Sequence, residues 1–325
     1  MDQEKLKELA RTIERDYDNV TGIIIQKNGT RLCETYFHGH TAADAVHVFS
    51  VTKSIVSALI GIAIDKGYIS GVDRKVLEFF PDRTVRPDDK TKRDVTIRHL
   101  LTMTAPYTFT AEPYEEFFAS ENWLDTALDL LGGEGPIGEF MYSPIIGTHI
   151  LSGILVRATG MSVLDFAMEH LFSPLGIKDM HTVMLHSKEE QFAFYAKDKH
   201  THSWVADPQG IHTASWGLTL TPADMAKIGQ LYLNGGIWNG RQLISAKWID
   251  ESTKVHSRWN QLSYGYLWWI IDDAEHSYAA MGDGGNVIYV NPRKQLVVAI
   301  ASLFVPDAKD RIGLIMEHIE PICGE

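Results

Sequence analysis

Cysteine is nearly absent: the 325 residues hold only Cys33 and Cys323, one near each end of the chain. That excludes a disulfide-built scaffold and suits a reducing compartment in which both thiols are free, with a bond between them as the alternative. No apolar run approaches the roughly 20 residues that a membrane-spanning helix needs. Basic charge is short too, with 30 lysine and arginine residues against 42 aspartate and glutamate, a formal net charge of -12 and no basic cluster. This balance argues against nucleic acid and against anionic membrane as partners. No repeat and no low-complexity tract is present. His38-Gly39-His40 and His200-Thr201-His202 lack a carboxylate at ligand spacing, and there is no His-Glu-x-x-His, so no metal is expected. The N-terminus lacks the pattern of a signal peptide: Leu6, Leu9, Ala10 and Ile13 recur at helical spacing behind Met1-Asp2-Gln3-Glu4-Lys5, and the expected location is cytoplasmic.

What the sequence has is core, at 45% hydrophobic, and one apolar segment, Ser54 to Lys66, entered through Phe49-Ser50-Val51-Thr52-Lys53. A helix starting near Ser50 puts Ser50 and Lys53 on one face, a hydroxyl within reach of an amine. Burial and the positive end of the helix dipole both disfavour the ammonium, so the lysine pKa is expected to fall. Backbone N–H groups gathered at the same helix start could hold an oxyanion. With 18 serines and 17 lysines, about one Ser-x-x-Lys is expected by chance, and this is the only one. Its setting carries the weight. Ile55, Val56, Leu59, Ile60 and Ile64 alternate with small residues in a helix apolar nearly all round, where a first-turn lysine needs a reason.

The rest of the chain frames that helix. Thr21 to Phe37 reads as a hairpin across Asn28-Gly29. Asp73 to Pro81 leads into a charged, proline-containing stretch through Asp94, which reads as a surface excursion between two bodies. Helical signals fill Thr96 to Leu175, with Thr96 and Ser162 as N-cap candidates and Pro144 suited to a first helical turn. Residues 186 to 212 read as a long loop with short strands, Thr221 and Ser245 open helices, and Glu112, Glu115 and Glu116 read as a solvated rim. Strands are expected over Tyr264–Ile271, His276–Met281, Asn286–Val290 and Gln295–Leu303, before a closing helix. The expected fold class is mixed α/β (α+β): an antiparallel sheet flanked by helices, built from both termini, with an all-helical part inserted. In one unit, 1–80 and 213–325 would form an α/β sandwich part and 81–212 a mostly helical part.

Three separated motifs, Ser50-Val51-Thr52-Lys53, Tyr142-Ser143-Pro144 and Gly282-Asp283-Gly284-Gly285-Asn286, occur in an order that resembles the serine β-lactamase-like hydrolases of the class C type. That family includes penicillin-binding DD-peptidases, esterases and 6-aminohexanoate-dimer hydrolases. The resemblance extends through Thr96–Thr104, Gly217–Asp224, Leu231–Gly236 and Tyr264–Trp269. It implies an active site in the cleft between an α/β and a helical part, with no cofactor. Ser50 matches the acylated nucleophile, Lys53 its partner amine and Tyr142 the proton-relaying tyrosine. A buried tyrosine beside an ammonium is expected to have a lowered pKa. Which of the two takes the serine proton stays open at this level, as does the oligomeric state.

Two departures bear on the substrate. The second motif ends in Pro144 where β-lactamases of this type have an asparagine, and the third carries no cation where they have Lys-Thr-Gly or a histidine variant. The shorter glycine-rich form looks more like the esterase and amide-hydrolase branches. There the resemblance implies an oxyanion hole made by the N–H groups of Ser50 and Asp283, with Gly282, Asp283 and Gly284 beside the substrate. Trp216, Trp268, Trp269 and Tyr266 are candidates for an apolar pocket or for core, with Trp216 and Trp269 taken as substrate-binding. The expected function is a serine hydrolase for a small ester or amide. The alternatives are β-lactamase or DD-peptidase activity, and a non-catalytic binding or regulatory module of the same fold.

Overall fold

Helical spacing at one end of the chain and apolar runs at the other meet in a single sheet. The computed structural model describes residues 3–84 and 89–324, so part of the excursion that ends at Asp94 lies outside the described residues. Helix α1 (Gln3–Asp16) buries Leu9 and Ile13 and leads into β1 (Val20–Lys27) and β2 (Thr30–Tyr36). Asn28 and Gly29 join them at φ 50° and 71°, the left-handed pair that a tight hairpin turn requires. Helix α2 (Val51–Asp65) follows, then α3 (Tyr114–Ala119), α4 (Ile146–Thr159), α5 (Lys188–Tyr195) and α6 (Pro222–Leu233) among other helices. The sheet is completed by β3 (Ser257–Trp259), β4 (Leu262–Tyr264), β5 (Trp269–Asp272), β6 (Ser277–Gly282), β7 (Asn286–Asn291) and β8 (Leu296–Ser302).

The eight strands are ordered β2-β1-β8-β7-β6-β5-β4-β3, and every neighbouring pair is antiparallel. The first hairpin therefore pairs onto the last strand, with Ile24 opposite Ala299. Alternation divides the residues between two faces. Ile23, Ile25, Tyr289, Val298 and Ile300 pack with Leu9 and Ile13 of α1 and with Leu314, Ile315 and Ile319 near the C-terminus. Ile24, Ile288, Val290 and Ala299 face a larger core that takes in α2 and α6 and continues into α4. Every α2 residue from Val51 to Ala63 is buried, as a helix flanked on all sides must be. A second, four-stranded sheet places Val46–His47 beside Leu218–Leu220, then Ser203–Ala206 and His181–Met184.

Two expectations change. The 186–212 stretch contains α5, because the Ser187 side chain accepts from the Glu190 N–H at 3.1 Å and so caps its start. Tyr264–Ile271 is not one strand: Gly265 is pressed against the Ser252 carbonyl, 2.3 Å from where a Cβ would stand, and Leu267 turns at φ 60°. The chain folds back there, and Tyr264 pairs with Trp269. Among the described residues no single helix is long and apolar enough to cross a membrane.

Candidate active site

Ser50 sits where a short strand becomes α2, and the turn is forced. Phe49 adopts φ 49°, a left-handed conformation that costs a bulky residue about 1–3 kcal/mol. Its ring is held against His47, with centroids 3.9 Å apart, and its carbonyl accepts from both the N–H and the Oγ1 of Thr52, at 3.0 and 2.7 Å. His47 is fixed in turn by the Gly217 N–H, which donates to Nε2 at 2.8 Å. On the other side β6 ends at Gly282, where an added Cβ would lie 2.2 Å from the Val48 carbonyl oxygen and 3.1 Å from the Ser50 nitrogen. Only glycine permits that approach, and it sets Asp283 beside the serine turn. The Ser50 N–H has no backbone acceptor among the described residues.

Lys53 is 2% exposed, and its Nζ donates to Ser50 Oγ at 2.7 Å and to the Ser215 carbonyl at 3.4 Å. Burial pushes the ammonium down to about 8, opposed by the charges of Asp283 and Glu112. Tyr142 stands beside this pair, with its ring centroid 5.7 Å from Lys53 Nζ. Its pKa moves opposite to the expectation. Burial first, then the Asp283 and Glu112 carboxylates, raise it well above the ordinary tyrosine value, and the opposing influence of the Ser50 hydroxyl does not offset them. Tyr142 is therefore a protonated phenol at neutral pH.

Glu112 was expected on a solvated rim, and the structure corrects this. Its carboxylate accepts from the Ile145 and Ile146 N–H groups, each at 3.1 Å, and from Ser143 Oγ, while Ser143 Oγ accepts from the Gly147 N–H at 2.8 Å. Burial raises its pKa above the usual carboxylate range. No local signal in the sequence marks it, since its partners lie some thirty positions away. Glu115 and Glu116 are exposed.

These groups open on a cleft of about 680 Å³ lined by Ser50, Tyr114, Tyr195, Trp216, Asp283 and Phe304, among others. Lys197 and Asp198, two opposite charges side by side, also face it. Of the residues expected beside a substrate, Trp216 and Asp283 line this cleft. Trp269 instead packs on Tyr142, with ring centroids 6.0 Å apart, and Gly282 and Gly284 support the loop from outside the cleft wall. Trp268 and Tyr266 are core, 0% and 1% exposed. Among the described residues no group of three His, Cys, Asp or Glu could hold a metal. His40 and His202 are engaged by the Phe37 and Asp198 carbonyls and by Asp224, respectively. Cys33 and Cys323 are free thiols in the outer core, and burial raises both, Cys323 to about 11.

Comparison with known proteins gives the family. A family model described as Beta-lactamase matches residues 9–318, nearly the whole chain. The chain belongs to that family and, with it, to the serine hydrolases. Among its relatives, the 6-aminohexanoate-dimer hydrolase of Paenarthrobacter ureafaciens is 22% identical, over 95% of this chain and 79% of that one. The octameric penicillin-binding protein homologue from Pyrococcus abyssi superposes with a TM-score of 0.72 at 20% identity, covering 100% of this chain and 78% of that one. A family VIII carboxylesterase gives 0.71 at 16% identity, over 98% and 97%. At these identities the two solved structures attest the fold alone.

Proposed function

We propose that the protein hydrolyses a small ester or amide through an acyl-enzyme on Ser50, with Lys53 as the base that frees the serine and Tyr142 as the acid that serves the leaving group. The observation that carries this reading is the 2.7 Å contact between Lys53 Nζ and Ser50 Oγ inside one helical turn. A buried amine that loses its proton near pH 8 can accept the serine proton, and a phenol kept protonated by burial cannot. In acylation the proton passes from Ser50 Oγ to Lys53 Nζ while Oγ bonds to the substrate carbonyl carbon. Negative charge collects on the carbonyl oxygen, which the N–H groups of Ser50 and Asp283 would hold. Tyr142 then protonates the departing alcohol or amine and is resupplied from the Lys53 ammonium. In deacylation water takes the place of the alcohol, and the proton path runs in reverse.

Asp283 bears on the choice of substrate. Its side chain is exposed at the cleft, so a carboxylate near the acyl carbon is disfavoured and a neutral or cationic acyl compound is preferred. This sets ester or amide cleavage ahead of β-lactam cleavage, whose substrates carry a carboxylate. Labelling with a fluorophosphonate probe and mass spectrometry of the tagged peptide test the reading. The expected tag is on Ser50; a tag elsewhere overturns it in favour of another nucleophile, and no tag anywhere on the folded protein overturns it in favour of a non-catalytic module.

A further inference from the structure

The cleft at Ser50 does not stop at its aromatic wall. Tyr114, Phe192 and Tyr195 line it, and the same three side chains line a second cavity of about 1040 Å³. That cavity lies between α3, which gives Phe118 and Ala119, and α5, which gives Gln191, with Trp123 also in its lining. Lys188 on α5 pairs with Glu115 on α3 at 3.4 Å, both side chains mostly in solvent. The aromatic surface is continuous from one cavity to the next. Trp216, on the Ser50 side, packs 5.4 Å from Tyr195 and 5.9 Å from Phe118, and Phe118 packs 5.0 Å from Trp123. Phe192, at the junction, is 61% exposed. A large apolar side chain left in water between two connected cavities is a surface a ligand can cover.

We infer that the second cavity is a substrate subsite, taking the far end of an elongated, mostly apolar acyl or alkyl chain whose scissile carbonyl lies at Ser50. The chain would cross the ridge formed by Tyr114, Phe192 and Tyr195 and cover Phe192 as it passes. This rests on the reading of Ser50 as nucleophile. The first cavity alone falls within the roughly 300–1,000 Å³ typical of a small-molecule site, so a short ester fills only that part. Glu115, Glu121, His186 and Lys188 also line the second cavity, so the gain belongs to its aromatic side, where each methylene that leaves water for the Phe118, Trp123 and Phe192 surface is worth up to about fourfold in kcat/KM. Activity is therefore expected to rise with chain length once the chain passes the ridge.

Two ester series test this, one lengthening the acyl group from p-nitrophenyl acetate to dodecanoate, the other lengthening the alcohol of an acetate ester. Ala119→Trp and Gln191→Trp, placed on opposite walls, fill the second cavity from either side; Ala119 is exposed, which favours folding of that variant. The expected result is a roughly tenfold or larger fall in the ratio of kcat/KM for the longest ester to that for the shortest, in both variants. The series that shows the fall tells whether the acyl or the alcohol side occupies the subsite. A flat wild-type profile in both series, or a ratio unchanged in both variants, overturns the subsite. Hydrolysis of the acetate ester that survives Ser50→Ala overturns instead the nucleophile reading beneath it.

Discussion

Two helices start at this cleft, and their first turns are built for opposite ends. At the head of α4 the Ile145 and Ile146 N–H groups donate to the Glu112 carboxylate and the Gly147 N–H to Ser143. A resident anion occupies the positive end of the helix. At the head of α2 there is no acidic residue in the first turn and no side-chain cap, although Ser50 stands in the capping position. Its hydroxyl is turned to Lys53 instead. A helix start gains stability from a fixed anion, and it can serve a transient one only if that place is left open. The protein thus stabilises one helix start and leaves the other available, at the further cost of the left-handed Phe49 that introduces it.

The comparison breaks most severely at Ser50. Ser50→Ala is expected to abolish ester hydrolysis and fluorophosphonate labelling while leaving the fold intact; near-wild-type turnover would remove α2 from the chemistry. Next come Lys53→Ala and Tyr142→Phe, each expected to lower kcat by roughly a hundredfold or more. Combined, they are expected to fall short of the product of the single losses, since groups acting as one unit are non-additive. Fully multiplicative losses would mean that base and acid work in separate steps with no shared proton. Because burial holds Lys53 down to about 8, and the proposed base is its neutral amine, kcat/KM is expected to rise with pH through about 8 to a plateau.

Asp283→Asn has a smaller expected effect, narrowing the preference for a neutral over a carboxylate-bearing ester by no more than about tenfold, because water screens an exposed charge. Equal specificity constants for the matched pair in wild type would show that Asp283 does not face the substrate. The smallest rate effect belongs to the α4 start. Glu112→Gln keeps the shape but removes the charge, with an expected loss of about 1–3 kcal/mol in denaturant unfolding. Its charge also holds the Lys53 value up, so the midpoint of the pH profile is expected to move to lower pH. Glu115→Gln and Glu116→Gln, on exposed neighbours, are expected to change stability by less than about 0.5 kcal/mol and to leave the midpoint in place. A midpoint moved equally by all three would erase the distinction between a built-in carboxylate and a solvated rim.

Sequence alone determined what depends on near neighbours along the chain. The hairpin at Asn28-Gly29, the apolar α2, the alternating strands of the C-terminal third and the Ser50–Lys53 contact each follow from a periodicity of two or of three to four residues. The downward shift of Lys53 is of the same kind, because a helix apolar on every side buries its own first turn. Tertiary structure decided whatever needed a partner from a distant segment. Tyr142 carries no mark of the Asp283 and Glu112 charges that help burial raise its pKa, because those carboxylates arrive from other parts of the fold. Glu112 reads like its neighbours Glu115 and Glu116 until α4 presents its N–H groups to it. Trp268 and Trp269 are adjacent, yet the reversal forced at Gly265 and Leu267 sends one into the core and the other onto Tyr142. Local pattern fixes which face of an element is apolar, but electrostatics and cavity walls are set by groups a few ångströms apart in space and thirty to two hundred residues apart in the chain.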